Sequence, residues 1–202
     1  MQVVGITGGI ASGKSLVLNT FMKLGAYAID CDALSREVVI PCSKAWWAIV
    51  SFFGKEIVKK DLEIDRKKLR GIVFGDSEKL DFLERVIHPE VKKKCKERVE
   101  AIKKMEPNEA LVIIDVPLLI EKGIQKEFEF DNVIVVYVSE ETQIRRVMER
   151  DGVTKEEAKK MIELQMPLKE KLKFADIVIN NEGSREETEK QVRNVFYSLS
   201  CG

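Results

Sequence analysis

Short apolar runs alternate along the chain with segments whose apolar residues recur at helical spacing. Val3-Val4-Gly5-Ile6, Ala26-Tyr27-Ala28-Ile29, Leu111-Val112-Ile113-Ile114, the run VIVVYV at 133–138 and Ile177-Val178-Ile179 are continuous and largely β-branched. Runs of that kind, apolar on both faces, predict strands buried between two helical layers. After the first run, Val17, Phe21 and Leu24 fall on one helix face. Near the end, Ser184 and Glu187 have capping-box spacing and open a helix carrying Val192, Val195, Phe196 and Leu199. The pattern predicts an α/β fold with a five-stranded, mostly parallel sheet flanked by helices.

Two stretches exceed what a strand–helix–strand crossover needs. Residues 33–108 hold Trp46, Trp47, Phe52 and Phe53, then Leu80, Leu83 and Ile87, then Val91, Cys95, Val99 and Ile102. This reads as a mainly helical insertion, and His88-Pro89 is expected to break one long helix into two, because proline disfavours helical backbone in the residue before it. Residues 139–173 predict helices at 140–150 and 154–164, the second opened by a Thr154/Glu157 capping box. The expected division is an α/β core (1–32, 109–138 and 174–202), a helical insertion (33–108) and a second helical segment (139–173).

Composition narrows the function. The chain has 202 residues, enough for one domain with a substantial core. It balances 34 basic against 34 acidic residues, which argues against a partner that is chiefly a polyanion, whether nucleic acid or membrane. The lysines at 92, 93, 94 and 96 read as a solvated helix face. No apolar run is long enough to span a bilayer, and the first residues lack a secretory pattern. Four scattered cysteines and one histidine make a zinc site improbable and point to a reducing, cytoplasmic setting.

The chemistry enters with Gly8-Gly9-Ile10-Ala11-Ser12-Gly13-Lys14-Ser15, which matches G-x-x-x-x-G-K-[ST] between a predicted strand and a predicted helix. Glycines let the chain curl so that backbone N–H groups converge, and the following helix adds its positive end. Lys14 is placed for the β- and γ-phosphates and the Ser15 hydroxyl for Mg²⁺. The expected ATP contacts are Ile10, Ala11, Ser12, Gly13, Lys14, Ser15 and Leu16. Without the Asn-Lys-x-Asp element of guanine readers, ATP is the expected nucleotide. Strand two ends in Asp30-Cys31-Asp32, which should lie at the carboxyl edge of the sheet where ligands gather. In extended chain the two carboxylates share a side. Either could act on an acceptor hydroxyl or position magnesium, or one could simply cap the next helix. Arg146 and Arg150 are one helical turn apart, fit either to meet a transferring phosphoryl group or to pair with Glu149 or Asp151.

From end to end the sequence resembles dephospho-CoA kinases. The matching pieces are the phosphate loop, Ala28-Ile29-Asp30-Cys31-Asp32, His88-Pro89, and Val116-Pro117-Leu118-Leu119-Ile120-Glu121. They continue with Thr142-Gln143-Ile144-Arg145-Arg146, Arg150-Asp151, Gln165, Lys171 and the run ADIVINN at 175–181. The resemblance implies ATP-dependent phosphorylation of the ribose 3′-hydroxyl of dephospho-CoA. It implies Asp32 as general base, Arg146 and Arg150 as lid groups at the phosphates, and His88 as a substrate contact. It also implies that 1–32, 109–138 and 174–202 form the nucleotide-binding core, that 33–108 binds the CoA substrate and that 139–173 is a lid. Asp115 resembles a magnesium-binding acid, its role left open, and Asn180 and Asn181 are candidates for an adenine-side loop. The segment 117–119 should roof part of the acceptor pocket. Two positions depart from the usual loop: Ala11 replaces glycine and Leu16 replaces threonine. The rival readings are a kinase for another nucleotide or nucleoside and an ATP-dependent switch without an acceptor.

Overall fold

The structure, a computed structural model, describes residues 1–106, 110–116, 119–120 and 128–200. Pro117, Leu118 and Glu121 of the resemblance, and the expected roof at 117–118, lie outside them. The chain divides into two compact units, Met1–Asp30 with Ala101–Gly202, and Cys31–Glu100.

The first unit is built on β1 (Gln2–Gly8), β2 (Tyr27–Asp30), β3 (Leu111–Asp115), β4 (Asn132–Tyr137) and β5 (Ile177–Asn180). Their spatial order is β2-β3-β1-β4-β5 and every pairing is parallel, more uniform than the mixed sheet the sequence allows. On one face Val4, Ile6, Ile113, Ile134, Val136 and Ile179 pack with Val17 and Phe21 of α1 (Lys14–Lys23). Val192 and Leu199 of α9 (Arg185–Ser200) complete that layer. Val135 and Val138 point the other way, toward Ile120 and Leu168. Two buried faces explain why the strands carry no polar alternation. The chain leaves β1 for the far edge and returns beside it at β3, so the turn after β1 lies where strand order reverses, the usual ligand crevice of such sheets.

Three helices follow β4: α6 (Glu140–Asp151), α7 (Lys155–Glu163) and the single turn α8 (Leu168–Lys171). Both expected capping boxes form, Thr154 with Glu157 and Ser184 with Glu187. Ile144, Val147 and Ala158 make a small core against which Ile10 and Ala11 pack. Among the described residues no helix is long and apolar enough to cross a membrane.

The second unit contains α2 (Cys31–Glu37), α3 (Lys44–Phe53), α4 (Arg66–Val73) and most of α5 (Ser77–Met105). Its core gathers Trp46, Ile49, Val50, Phe53, Ile57 and Leu69, with Leu83, Ile87 and Val91 packed against them. Trp46 also donates from its indole to the Leu62 carbonyl at 2.8 Å. Three sequence expectations change here. First, α5 runs unbroken through Pro89. The flanking apolar residues 82, 83, 86, 87 and 91 all pack on the same core, and that burial outweighs the local preference of His88 for extended backbone. Second, α2 begins at Cys31, so Asp32 lies in a helical first turn rather than in extended chain with Asp30. Third, the lysine run is not merely solvated. Lys94 and Arg98 both bond Glu37, tying α5 to α2.

Candidate active site

The turn between β1 and α1 curls as the motif requires. Gly13, the residue before α1, has φ +85°, a conformation that a side chain disfavours. Ala11 also adopts a left-handed conformation, φ +56°. The alanine therefore carries the cost of about 1 kcal/mol expected for a β-carbon there, partly offset by packing its methyl against the α6–α7 core. Lys14 and Ser15 hold the first two helical positions, where amides have no carbonyl one turn back. Three amides of the turn are already engaged: Ile10 donates to Gln165 Oε1 at 2.9 Å, Ser12 to the Gly9 carbonyl and Leu16 to the Gly13 carbonyl. The Leu16 amide thus closes the first turn of α1.

The carbonyls of the turn are held from outside by side chains distant in sequence. Lys171 Nζ donates to Gly8 O at 3.2 Å and Gln143 Nε2 to Ile10 O at 2.7 Å. Arg146 Nη1 reaches Ala11 O at 3.4 Å, and Asn181 Nδ2 donates to Ser12 O at 2.7 Å. A β-carbon at Gly13 would lie 2.0 Å from Asn181 Nδ2, and one at Gly9 would lie 2.5 Å from Gln143 Nε2. These two glycines admit the clamps. With these carbonyls engaged by side chains, the remaining N–H dipoles of the turn can converge on an anion.

The turn opens on a cavity of about 570 Å³ whose lining includes Gly13, Lys14, Ser15, Arg146, Arg150 and Arg185. Lys14 bonds the carboxylate of Asp115 at the end of β3. Asp115 is in register with Asp30 on β2, which puts two carboxylates on neighbouring strand ends beside the turn. Arg146 donates through Nη2 to the Asn181 carbonyl at 2.9 Å, so its guanidinium is already fixed at the cavity wall. Arg150 makes a two-pronged pair with Asp151 at 2.8 and 2.7 Å. That pairing holds the Arg150 guanidinium above its ordinary pKa and the Asp151 carboxyl below. Asp32 and His88 are exposed residues of the second unit, in the first turn of α2 and the middle of α5.

The sequence model of the dephospho-CoA kinases matches residues 2–187. The chain belongs to the dephospho-CoA kinase family. It is 46% identical over 189 residues to a dephospho-CoA kinase of Geobacillus kaustophilus, covering 94% of this chain and 92% of that one. A crystal structure of a Thermus thermophilus protein superposes with TM-score 0.81 at 34% identity, covering 98% of this chain and 97% of that one. The dephospho-CoA kinase of Campylobacter jejuni superposes with TM-score 0.75 at 30% identity, covering 99% and 98%. The protein is thus a transferase of the ATP-dependent kinase type, with the fold expected of one.

As a dephospho-CoA kinase the chain has site residues that sequence reasoning left without a role. Gln143, Gln165 and Lys171 were visible only as matching letters, because hydrogen bonds to main-chain atoms leave no spacing signature. Asn181, a candidate for an adenine-side loop, also engages the phosphate turn. Its side chain bonds Ser12 O and accepts from Thr188 Oγ1 at 2.8 Å, and both groups are buried. Asn180 instead meets Gln191 of α9 and the Glu182 amide. Glu182 accepts from the Ser139 amide at 2.7 Å, from the Ser139 hydroxyl and from Thr142 Oγ1, joining the end of β5 to the start of α6. The Thr142 hydroxyl, and after it the Ser139 amide, hold its carboxyl below the ordinary value.

Proposed function

We propose that the chain transfers the γ-phosphoryl group of ATP to the ribose 3′-hydroxyl of dephospho-CoA, giving CoA and ADP. The observation that carries this reading is the family match over residues 2–187, which spans the phosphate turn and the acidic end of β2 together. The polyphosphate lies on residues 10–16, met by the amides of Gly13, Lys14 and Ser15. Lys14 exchanges Asp115 for a phosphate oxygen when nucleotide enters, and Arg146 meets the transferring group from the cavity wall. Arg150 joins it by releasing Asp151. Asp32 takes the proton of the acceptor hydroxyl, His88 contacts the acceptor, and the unit around 33–108 holds the CoA portion. Residues 139–173 act as the lid.

The residues present also suit magnesium. The Ser15 hydroxyl and the neighbouring carboxylates of Asp115 and Asp30 are hard oxygen donors beside the turn, the donor type this ion takes. Charge on the β- and γ-oxygens is offset when Mg²⁺ is bound. Because phosphoryl transfer has a loose transition state, most of the acceleration comes from alignment and electrostatics, with the base adding about 10²–10⁴-fold. Among the described residues Cys31, Cys42 and Cys95 form no disulfide, which suits a cytoplasmic enzyme working on small molecules.

ADP release measured over dephospho-CoA, AMP, CMP, GMP and uridine tests the reading. Turnover confined to dephospho-CoA, dependent on Mg²⁺ and abolished by EDTA, is expected. Equal turnover on a nucleoside monophosphate, or ADP release without acceptor, would overturn it.

A further inference from the structure

Lys171 has no solvent exposure, yet no step above uses it. Lysine is almost never wholly buried, because its ammonium loses hydration that apolar surroundings do not replace. Here its Nζ donates to the Gly8 carbonyl at 3.2 Å. It stands with Gln143 and Asn181 among the groups that pin the outer carbonyls, but it alone of those three carries charge. The residues on either side support the placement. Leu168, at the start of the same helical turn, packs in the core under β4, and its side chain lies within 3.1 Å of where a Gly9 β-carbon would be. The short α8 is therefore wedged against the back of the phosphate turn.

We propose that Lys171 is a positioning residue of the nucleotide site. It holds Gly8 O so that the amides of the turn are left to the polyphosphate. The inference rests on the reading of 8–15 as the ATP site. Its signature is selective: the ATP interaction weakens while the acceptor interaction does not.

The test compares the full-length wild type with Lys171→Met, Lys171→Arg and Lys171→Gln, measuring KM for ATP and for dephospho-CoA together with thermal melts. Methionine keeps the stem and loses the charge, so KM for ATP should rise about tenfold with KM for dephospho-CoA within about twofold. Arginine should bring KM for ATP back toward the wild-type value. A folded Lys171→Met enzyme with wild-type KM for ATP overturns the proposal. So does a parallel rise in both KM values that arginine does not repair. If the methionine variant does not fold, arginine and glutamine decide. A raised KM for ATP with glutamine but not arginine supports the role, and equal values overturn it. Lys14→Ala serves as the control. If it retains turnover, the reading of the turn as the ATP site fails; if it loses turnover while Lys171→Met is unchanged, only the role of Lys171 fails.

Discussion

Replacing Gly13 by alanine probes the geometry on which the site depends. The backbone there has φ +85°, so a β-carbon costs about 1–2 kcal/mol before it meets anything. It would also sit 2.0 Å from Asn181 Nδ2, a distance no side chain tolerates. Asn181 is buried and holds Ser12 O, so moving it breaks that hydrogen bond and leaves buried polar atoms unsatisfied, about 1–3 kcal/mol more. The sum, about 2–5 kcal/mol, should lower the melting temperature by about 10 °C in a chain of this size. Asn181→Ala alone loses the bonds to Ser12 O and Thr188 Oγ1, about 2–4 kcal/mol. In the double variant the clash is gone, leaving the conformational penalty and the lost bonds. The two changes should then be less than additive by about 1–3 kcal/mol. Urea unfolding of the four proteins, with ATP binding by calorimetry, measures this cycle. Strict additivity, or a Gly13→Ala protein as stable as wild type, would refute the claim that Gly13 is glycine to admit Asn181.

Three further outcomes are expected. Pro89→Ala should stabilise the protein by about 2 kcal/mol in urea unfolding, since proline inside a helix costs about 3 kcal/mol relative to alanine and its restriction of the unfolded chain returns at most about 1 kcal/mol; no gain would mean α5 is bent to accommodate it. Glu182 has its carboxyl lowered below the ordinary 4.5 by the Thr142 hydroxyl and the Ser139 amide, so its contribution is full above that value and vanishes as pH falls through the lower folded one. Thermal melts from neutral to acid pH should therefore show Glu182→Gln less stable than wild type at pH 7, with the gap closing in acid; a gap independent of pH would contradict the assignment. Asp32→Asn should lower kcat by about 10²–10⁴-fold while KM for ATP stays within about twofold, and unchanged steady-state turnover would remove Asp32 from the base role.

Most of the sheet could be read from the letters because each strand is covered on both faces. Ile134, Val135 and Val136 are all buried, though they point to alternate sides, and such a run has no other stable use. The capping boxes at Thr154 and Ser184 were legible for the same local reason, a hydroxyl and a carboxylate reaching main-chain groups three residues away. His88-Pro89 was misread because the local rule there competes with burial on both sides. The limits of α2 were misread because nothing in Asp30-Cys31-Asp32 reveals that the helix starts at Cys31, two residues before the start that a cap at Asp32 would give. The outer clamp on the phosphate turn was invisible. Gln143, Gln165, Lys171 and Asn181 are ordinary letters on different elements, aimed at main-chain carbonyls or, for Gln165, a main-chain amide, groups that the letters of the turn do not distinguish.

Local chemistry in the sequence was enough for strand, turn and helix at 2–23, since glycine positions, a lysine and a hydroxyl specify how a phosphate can be held. Tertiary structure alone decided which carbonyls are turned outward and by whom, that Lys14 rests on Asp115, and that a fully buried lysine stands behind the turn. The reason is physical. Conformational preference acts within a few residues, whereas a hydrogen bond between positions 8 and 171 exists only after the sheet has brought their elements together.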